Sequence, residues 1–145
     1  TVELYVVHFP SKWGSVQQSS QRRNTAAKAL LDAVGSSDSE NIIVMGDFND
    51  TPDSDNFRPL DRIMFNNGEK IFRKGEGTIR YEGRWELIDM FITSPDLDCT
   101  MYVCRPHFLM TWDNVHPGYK PFRTYSGPRY IGGTSDHLPI VLMTD

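Results

Sequence analysis

Four short stretches place acids, amides or histidines at the ends of hydrophobic runs: HFPS (8–11), GDFND (46–50), WELID (85–89) and SDHLP (135–139). Asp47 and Asn49 follow the apolar run 41–46, at the rim of a sheet, where α/β proteins commonly build their sites. In an extended chain two residues apart they point the same way, while Phe48 faces oppositely and anchors the rim in the core. Asp50, Thr51, Pro52 and Asp53 have the composition of a turn, so Asp50 is read as structural. Asp89 sits among Leu87, Ile88, Met90 and Phe91, where an ionised carboxylate needs a partner. A buried carboxylate can hold an imidazole in one tautomer and make it a usable base. His8, ahead of Pro10, and the Asp136–His137 pair ahead of the last apolar run supply imidazoles. Taken singly, each of these also has a plain reading as a turn or a strand end.

The elements that must position these groups follow from periodicity. Residues 2–7 (VELYVV) suit a mostly buried strand, and 41–46 a second. Between them, 19–34 predicts the only long helix, with Ala26, Leu30 and Val34 on one face, Ser19 or Ser20 as its cap and Gly35 as its stop. Arg22, Arg23 and Lys28 read as its solvated face. A short helix is expected near 56–65. GTIRYEG (77–83) and WELIDMFITS (85–94) predict two strands joined by a tight turn, with further strands at 99–105 and 138–143. Residues 111–133, with Pro117, Pro121 and Pro128, read as a loop. Trp13, Trp85 and Trp112 read as packing residues, Trp85 as a buttress for Asp89. The order β-α-β followed by several strands predicts an α/β layered domain with a mixed sheet and one long helix.

Composition sets the bounds. The chain has 145 residues, 39% of them hydrophobic, which suits one domain with a core of its own. Its formal net charge of −4 argues against a large non-specific nucleic-acid surface. No apolar run approaches the roughly 18 residues of a membrane helix. Cys99 and Cys104 are five apart in an extended segment and face oppositely, so they read as thiols rather than a local disulfide. The chain opens inside an apparent strand, which predicts an excerpt with its N-terminal part absent.

Taken together and in this order, the four motifs resemble the endonuclease/exonuclease/phosphatase superfamily of DNase I-like, metal-dependent phosphoesterases, over essentially the whole chain. The wording of FND and of RTYSGPRYIGGTSDHLP most resembles bacterial members. The resemblance implies a layered α/β sandwich of which only the C-terminal half is here. It further implies hydrolysis of a phosphoester by in-line attack of an activated water. His137 would be the general base or phosphate ligand, with Asp89 fixing its tautomer. Asp47 would orient the water, Asn49 would stabilise developing charge, and His8 would contact the phosphate and protonate the leaving oxygen. Asp136 would lie beside the metal, Mg²⁺ or Mn²⁺.

The family's main metal-binding glutamate has no match, since Glu3 and Glu40 do not sit in its motifs. The chain alone is therefore expected to be inactive or nearly so. The missing half would also leave an apolar sheet face open, so self-association of two copies is expected. Arg123, Tyr125, Arg129 and Tyr130, in the aromatic and basic run before SDH, could line the substrate cleft; a surface loop is the plain alternative. The substrate could be nucleic acid, sugar phosphate or a lipid head group. A non-catalytic scaffold that retains the fold is the competing reading. A metal-free hydrolase fails for want of a nucleophile-elbow serine.

Overall fold

The computed structural model describes residues 1–144. Strand β1 (Glu3–His8) leads through a short loop into helix α1 (Val16–Gly35) and back into β2 (Ile42–Asp47). β3 (Phe65–Asn66), α2 (Glu69–Arg73), β4 (Ile79–Tyr81), β5 (Arg84–Glu86) and β6 (Asp89–Thr93) follow. The C-terminal part carries β7 (Cys99–Val103), a 3₁₀ turn (His107–Leu109), β8 (Met110–Asp113), β9 (Gly118–Pro121), β10 (Tyr125–Ser126), β11 (Arg129–Tyr130) and β12 (Ile140–Thr144). The central sheet has the order β1-β2-β6-β3, parallel between β1 and β2 and antiparallel beyond. The expected mixed sheet with one long helix is present. A parallel β1–β2 pair needs a crossover, and α1 supplies it.

One face of the central sheet packs against α1. Ala27, Leu30 and Val34 of the helix share a core with Val44, Met90 and Ile92 of the strands. The β7–β12 ladder adds Met101 to that core, with Val103, Ile140 and Leu142 against it. Gly46 lies inside β2, paired with Val7 and Met90, so the strand runs on to Asp47 rather than breaking at the glycine. Its φ of +140° and a Cβ position only 1.9 Å from the Val7 carbonyl oxygen leave no room for a side chain.

Several local expectations are corrected. β1 is not mostly buried: it is an edge strand whose Leu4 and Val6 are 57% and 79% exposed. The helix starts one turn early, at Val16, because the Ser15 hydroxyl accepts the Gln18 N–H at 3.2 Å; Ser19 is buried inside the helix and caps nothing. Residues 56–65 hold a single 3₁₀ turn, Leu60–Arg62. The strand expected over 85–94 divides at Leu87–Ile88: Arg84–Glu86 close a hairpin on β4, and Asp89–Thr93 cross to pair with β2. The division lets Thr78, at the start of the hairpin, face Asp89. The stretch 111–133 folds into two hairpins, β8–β9 and β10–β11, their turns made by the prolines and glycines that suggested a loop.

Candidate active site

His8, Asp47 and Asp89 are the last or first residues of three adjacent strands and lie directly opposite one another, His8 against Asp47 and Asp47 against Asp89. Residues opposite each other in a ladder share a face. The three side chains therefore form one transverse row on the sheet face turned away from α1, closing columns that run Leu4–Val6–His8, Ile43–Met45–Asp47 and Thr93–Phe91–Asp89. His8 Nε2 is 3.5 Å from Asp47 Oδ2, with its ring largely in solvent.

His137 joins the row from another element. The segment before β12 is tied to β4 by the Leu138 N–H donating to the Thr78 carbonyl at 2.8 Å. That bond brings Thr78 and His137 to the same carboxylate. His137 Nδ1 lies 2.8 Å from Asp89 Oδ2, and the fully buried Thr78 hydroxyl donates to the same oxygen. With Nδ1 carrying the proton for Asp89, Nε2 is left as the basic nitrogen. The bond to Asp89 holds the His137 pKa above its ordinary value, against burial, and the charges of Asp89, Asp47 and Asp136 push the same way. Burial raises the Asp47 carboxyl, and the neighbouring Asp89 adds to it; the Asn49 backbone N–H, His137 and His8 oppose the rise.

Asn49 reaches the row by a turn, not by strand alternation. Its φ is +50°, in the left-handed region that asparagine tolerates. Its N–H donates to Asp47 Oδ1 at 2.8 Å, and its side-chain amide donates to the Phe9 carbonyl at 2.9 Å and to Asp47 Oδ2 at 3.2 Å. Phe48 is the anchor expected: fully buried, edge-on to Phe9 and Phe57 at ring separations of 5.2 and 5.5 Å, its N–H bonded to the Ile88 carbonyl.

Ligand atoms of Asp47, Asp89 and His137 all lie within 4.8 Å of one another. Carboxylate oxygens are the donors that hard divalent cations take, and a cation there would favour the ionised Asp47 carboxylate that burial disfavours. The trio offers fewer ligands than such an ion's usual six, and His137 Nδ1 is committed to Asp89. The residues fit a divalent ion as part of its ligand set. Asp136 is exposed and outside the cluster, close enough to add to the field at His137. Glu3 and Glu40 stand at the opposite ends of β1 and β2, away from the row.

The segment bearing Arg123, Tyr125, Arg129 and Tyr130 is rooted beside His137. The Phe122 carbonyl accepts the N–H groups of Thr134 and Ser135, and Gly133 N–H donates to the Arg123 carbonyl. Tyr125 and Tyr130 are exposed and meet edge-on at 5.6 Å. Sequence reasoning missed three contributors. Thr78 carries no local signal, being eleven residues from Asp89 and joined to it only through the hairpin. Lys12 bridges to Glu86 at 2.9 Å across the rim. Arg23 proves buried, paired with Asp50, rather than part of a solvated face. Trp85 lies under the Arg105 guanidinium, 5.0 Å from its ring centre, and it is Thr78 that supports Asp89.

Comparison with solved structures returns the same architecture. A mannosyl-6-phosphatase of Bacteroides thetaiotaomicron superposes over 98% of this chain and 50% of its own, with a TM-score of 0.58 at 14% identity. An endonuclease/exonuclease/phosphatase family protein from the same species superposes over 83% of this chain and 44% of its own, with a TM-score of 0.53 at 16% identity. The chain thus spans about half the length of these structures, and the shared fold is the DNase I-like one. No curated protein matches the sequence. The model of the Endonuclease/Exonuclease/phosphatase family matches residues 1–145. From the transverse row to the last strand, this chain belongs to the Endonuclease/Exonuclease/phosphatase family.

Proposed function

We propose that this chain is the C-terminal part of a divalent-metal-dependent phosphoester hydrolase and carries its water-activating side. The observation that carries the reading is the row His8–Asp47–Asp89, joined by His137 through a 2.8 Å bond to Asp89. Phosphoryl transfer asks a protein mainly for positioning and for electrostatic stabilisation. His137 accepts a proton at Nε2 while Asp89 stabilises the imidazolium and Thr78 fixes the carboxylate. Asp47 orients the attacking water. Asn49 is placed to turn the amide N–H that bonds Asp47 onto a phosphoryl oxygen, without adding negative charge. His8, the most exposed member, meets the phosphate and protonates the leaving oxygen. Asp47 and Asp89, with Asp136 alongside, would hold Mg²⁺ or Mn²⁺, which when bound supplies positive charge against the developing phosphoryl charge. Arg123, Tyr125, Arg129 and Tyr130 form the flank that receives the rest of the substrate. A mannosyl-6-phosphatase of the same fold supports a phosphoester substrate; nucleic acid, sugar phosphate and lipid head groups all present one.

The test is hydrolysis of p-nitrophenyl phosphate and bis-p-nitrophenyl phosphate with Mg²⁺ or Mn²⁺, by a longer protein carrying this chain and by the chain alone. Turnover by the first and silence from the second is expected, because no residue here matches the family's main metal-binding glutamate. Silence from both, across metals and natural phosphoesters, would leave a non-catalytic scaffold as the better description.

The pH profile gives a sharper check. His137 must be neutral to act as base, and its raised pKa moves the acid limb of kcat/KM above the ordinary histidine value of 6.5. Replacing Asp89 by Asn removes the main cause of the rise and brings that limb to lower pH. The linkage to stability has the opposite sense. The raised pKa stabilises the fold below the unfolded imidazole's pKa, and this contribution is lost as pH climbs through the folded value.

The chain alone should also associate with itself. The exposed Leu4 and Val6 face, on the same side as the row, suits burial against a second copy. Light scattering at micromolar concentration should give twice the monomer mass; a monomer mass would exclude the dimer.

A further inference from the structure

The inward stripe of α1 runs Arg23, Ala27, Leu30, Val34, so a cation occupies a position that helical periodicity reserves for an apolar side chain. Arg23 is only 6% exposed, and among the described residues no other lysine or arginine is buried. Burying a guanidinium is costly unless it is paired. Its Nε donates to Asp50 Oδ2 at 3.2 Å, and that oxygen also accepts the Ser54 hydroxyl and the Asn56 amide, each at 2.9 Å. Asn56 in turn accepts from Asn24, the next residue along α1. One carboxylate oxygen therefore ties the helix, the exit of β2 and the 54–56 turn together.

Asp50 immediately follows Asn49. On the other side of Asn49, Phe48 is fixed by its buried ring and by its N–H bond to the Ile88 carbonyl. Asn49 is thus held between two clamped neighbours in a left-handed conformation that most residues avoid. The clamps turn its amide onto Asp47 and the Phe9 carbonyl. The pair is poorly optimised for stability, since Arg23 Nη1 is buried with no hydrogen-bond partner. A charge-free substitute of similar volume is commonly as stable as a buried ion pair, or more so.

We infer that the Arg23–Asp50 ion pair is a positioning device for Asn49: it fixes the peptide after β2 so that the Asn49 amide is presented to the row of His8, Asp47 and Asp89. Its kinetic consequence rests on the phosphoesterase reading; its structural consequence does not.

The experiment compares the longer protein carrying this chain with its Asp50→Asn and Arg23→Met/Asp50→Asn variants. Both variants keep an oxygen at position 50 to accept from Ser54 and Asn56, and each is compared with the wild type below its own melting temperature. Melting temperature, kcat and KM are measured, together with solvent exchange of the Asn49 side-chain amide by selectively labelled NMR. The expected result is a melting temperature kept or raised in the double variant and lowered in the single one, whose Arg23 charge is left buried without its partner. In both, kcat is lowered roughly 10²-fold by the misplacement, with KM within about threefold. Asn49 amide exchange should accelerate in both variants. In an Asn49→Ala background the further loss of kcat should fall below about threefold, as coupling through Asn49 requires. Unchanged Asn49 exchange in a folded variant overturns the inference, whether or not the wild type hydrolyses any ester. Equal kcat losses with and without Asn49 overturn it as well. If the wild type is inactive while Asn49 exchange responds, the positioning stands and the phosphoesterase reading falls.

Discussion

Replacing His137 by Ala is expected to lower kcat on p-nitrophenyl esters by roughly 10²–10⁴-fold, the range a positioned general base contributes. The geometry behind the number is specific. His137 bonds Asp89 at 2.8 Å, Asp89 is locked by Thr78, and the ring is directed by a segment bolted to β4 through Leu138. Asp89→Asn should cost kcat on the same scale, because an asparagine amide can impose the wrong tautomer on the ring. The double variant should lose little more than either single one, since the two residues act as a unit. His116→Ala is the control. That ring lies 3.9 Å from Asp113 in the β8–β9 hairpin, an Asp–His pair without the row, and its loss should leave kcat alone. If His137→Ala retains wild-type turnover, the base is elsewhere and the role assignment fails.

Phe48→Ala should have the largest effect on the fold. The ring is wholly buried and sits edge-on against both Phe9 and Phe57. Truncating a packed aromatic costs about 3–5 kcal/mol in transfer and cavity terms. In a domain of this size, that lowers the melting temperature by on the order of 10 °C. Phe48 also stands between Asp47 and Asn49, so kcat should fall with stability even at temperatures where the variant is folded. Trp13→Ala is the contrast, because Trp13 is 85% exposed and an exposed truncation stays within about 0.5 kcal/mol. A melting temperature for Phe48→Ala within two or three degrees of wild type would show that the phenylalanine cluster does not hold the rim.

The sequence was informative wherever the signal was local. Apolar runs ending in Asp47 or following Asp89 and His137 are strands whose polar ends must emerge at a sheet edge, and the structure gathers them there. Phe48 between two polar residues was readable for the same reason. What escaped was non-local. Thr78 matters only because a hairpin folds it back on Asp89. Arg23 lies in a run of polar residues, and nothing in that run tells that Asp50, twenty-seven positions away, will draw it inward. The start of α1 was missed because its first turn is apolar-poor and exposed, so only the Ser15 cap marks it. The hairpins over 110–130 were hidden because the prolines and glycines that make their turns outweigh the short strands between them.

The shared face of the row and the apolar columns has a genetic consequence. β1, β2 and β6 each carry hydrophobic residues and a terminal His or Asp on the same two-residue period, so a single-codon insertion or deletion within any of them would rotate both sets together. Such a change puts Val6 or Met45 where the α1 face belongs and turns the polar group away from its partners. In-frame length variants within these strands should therefore be absent from folded, active forms of the protein. Tolerated ones should concentrate at the Gly127 tip of the β10–β11 hairpin, where added residues disturb neither period.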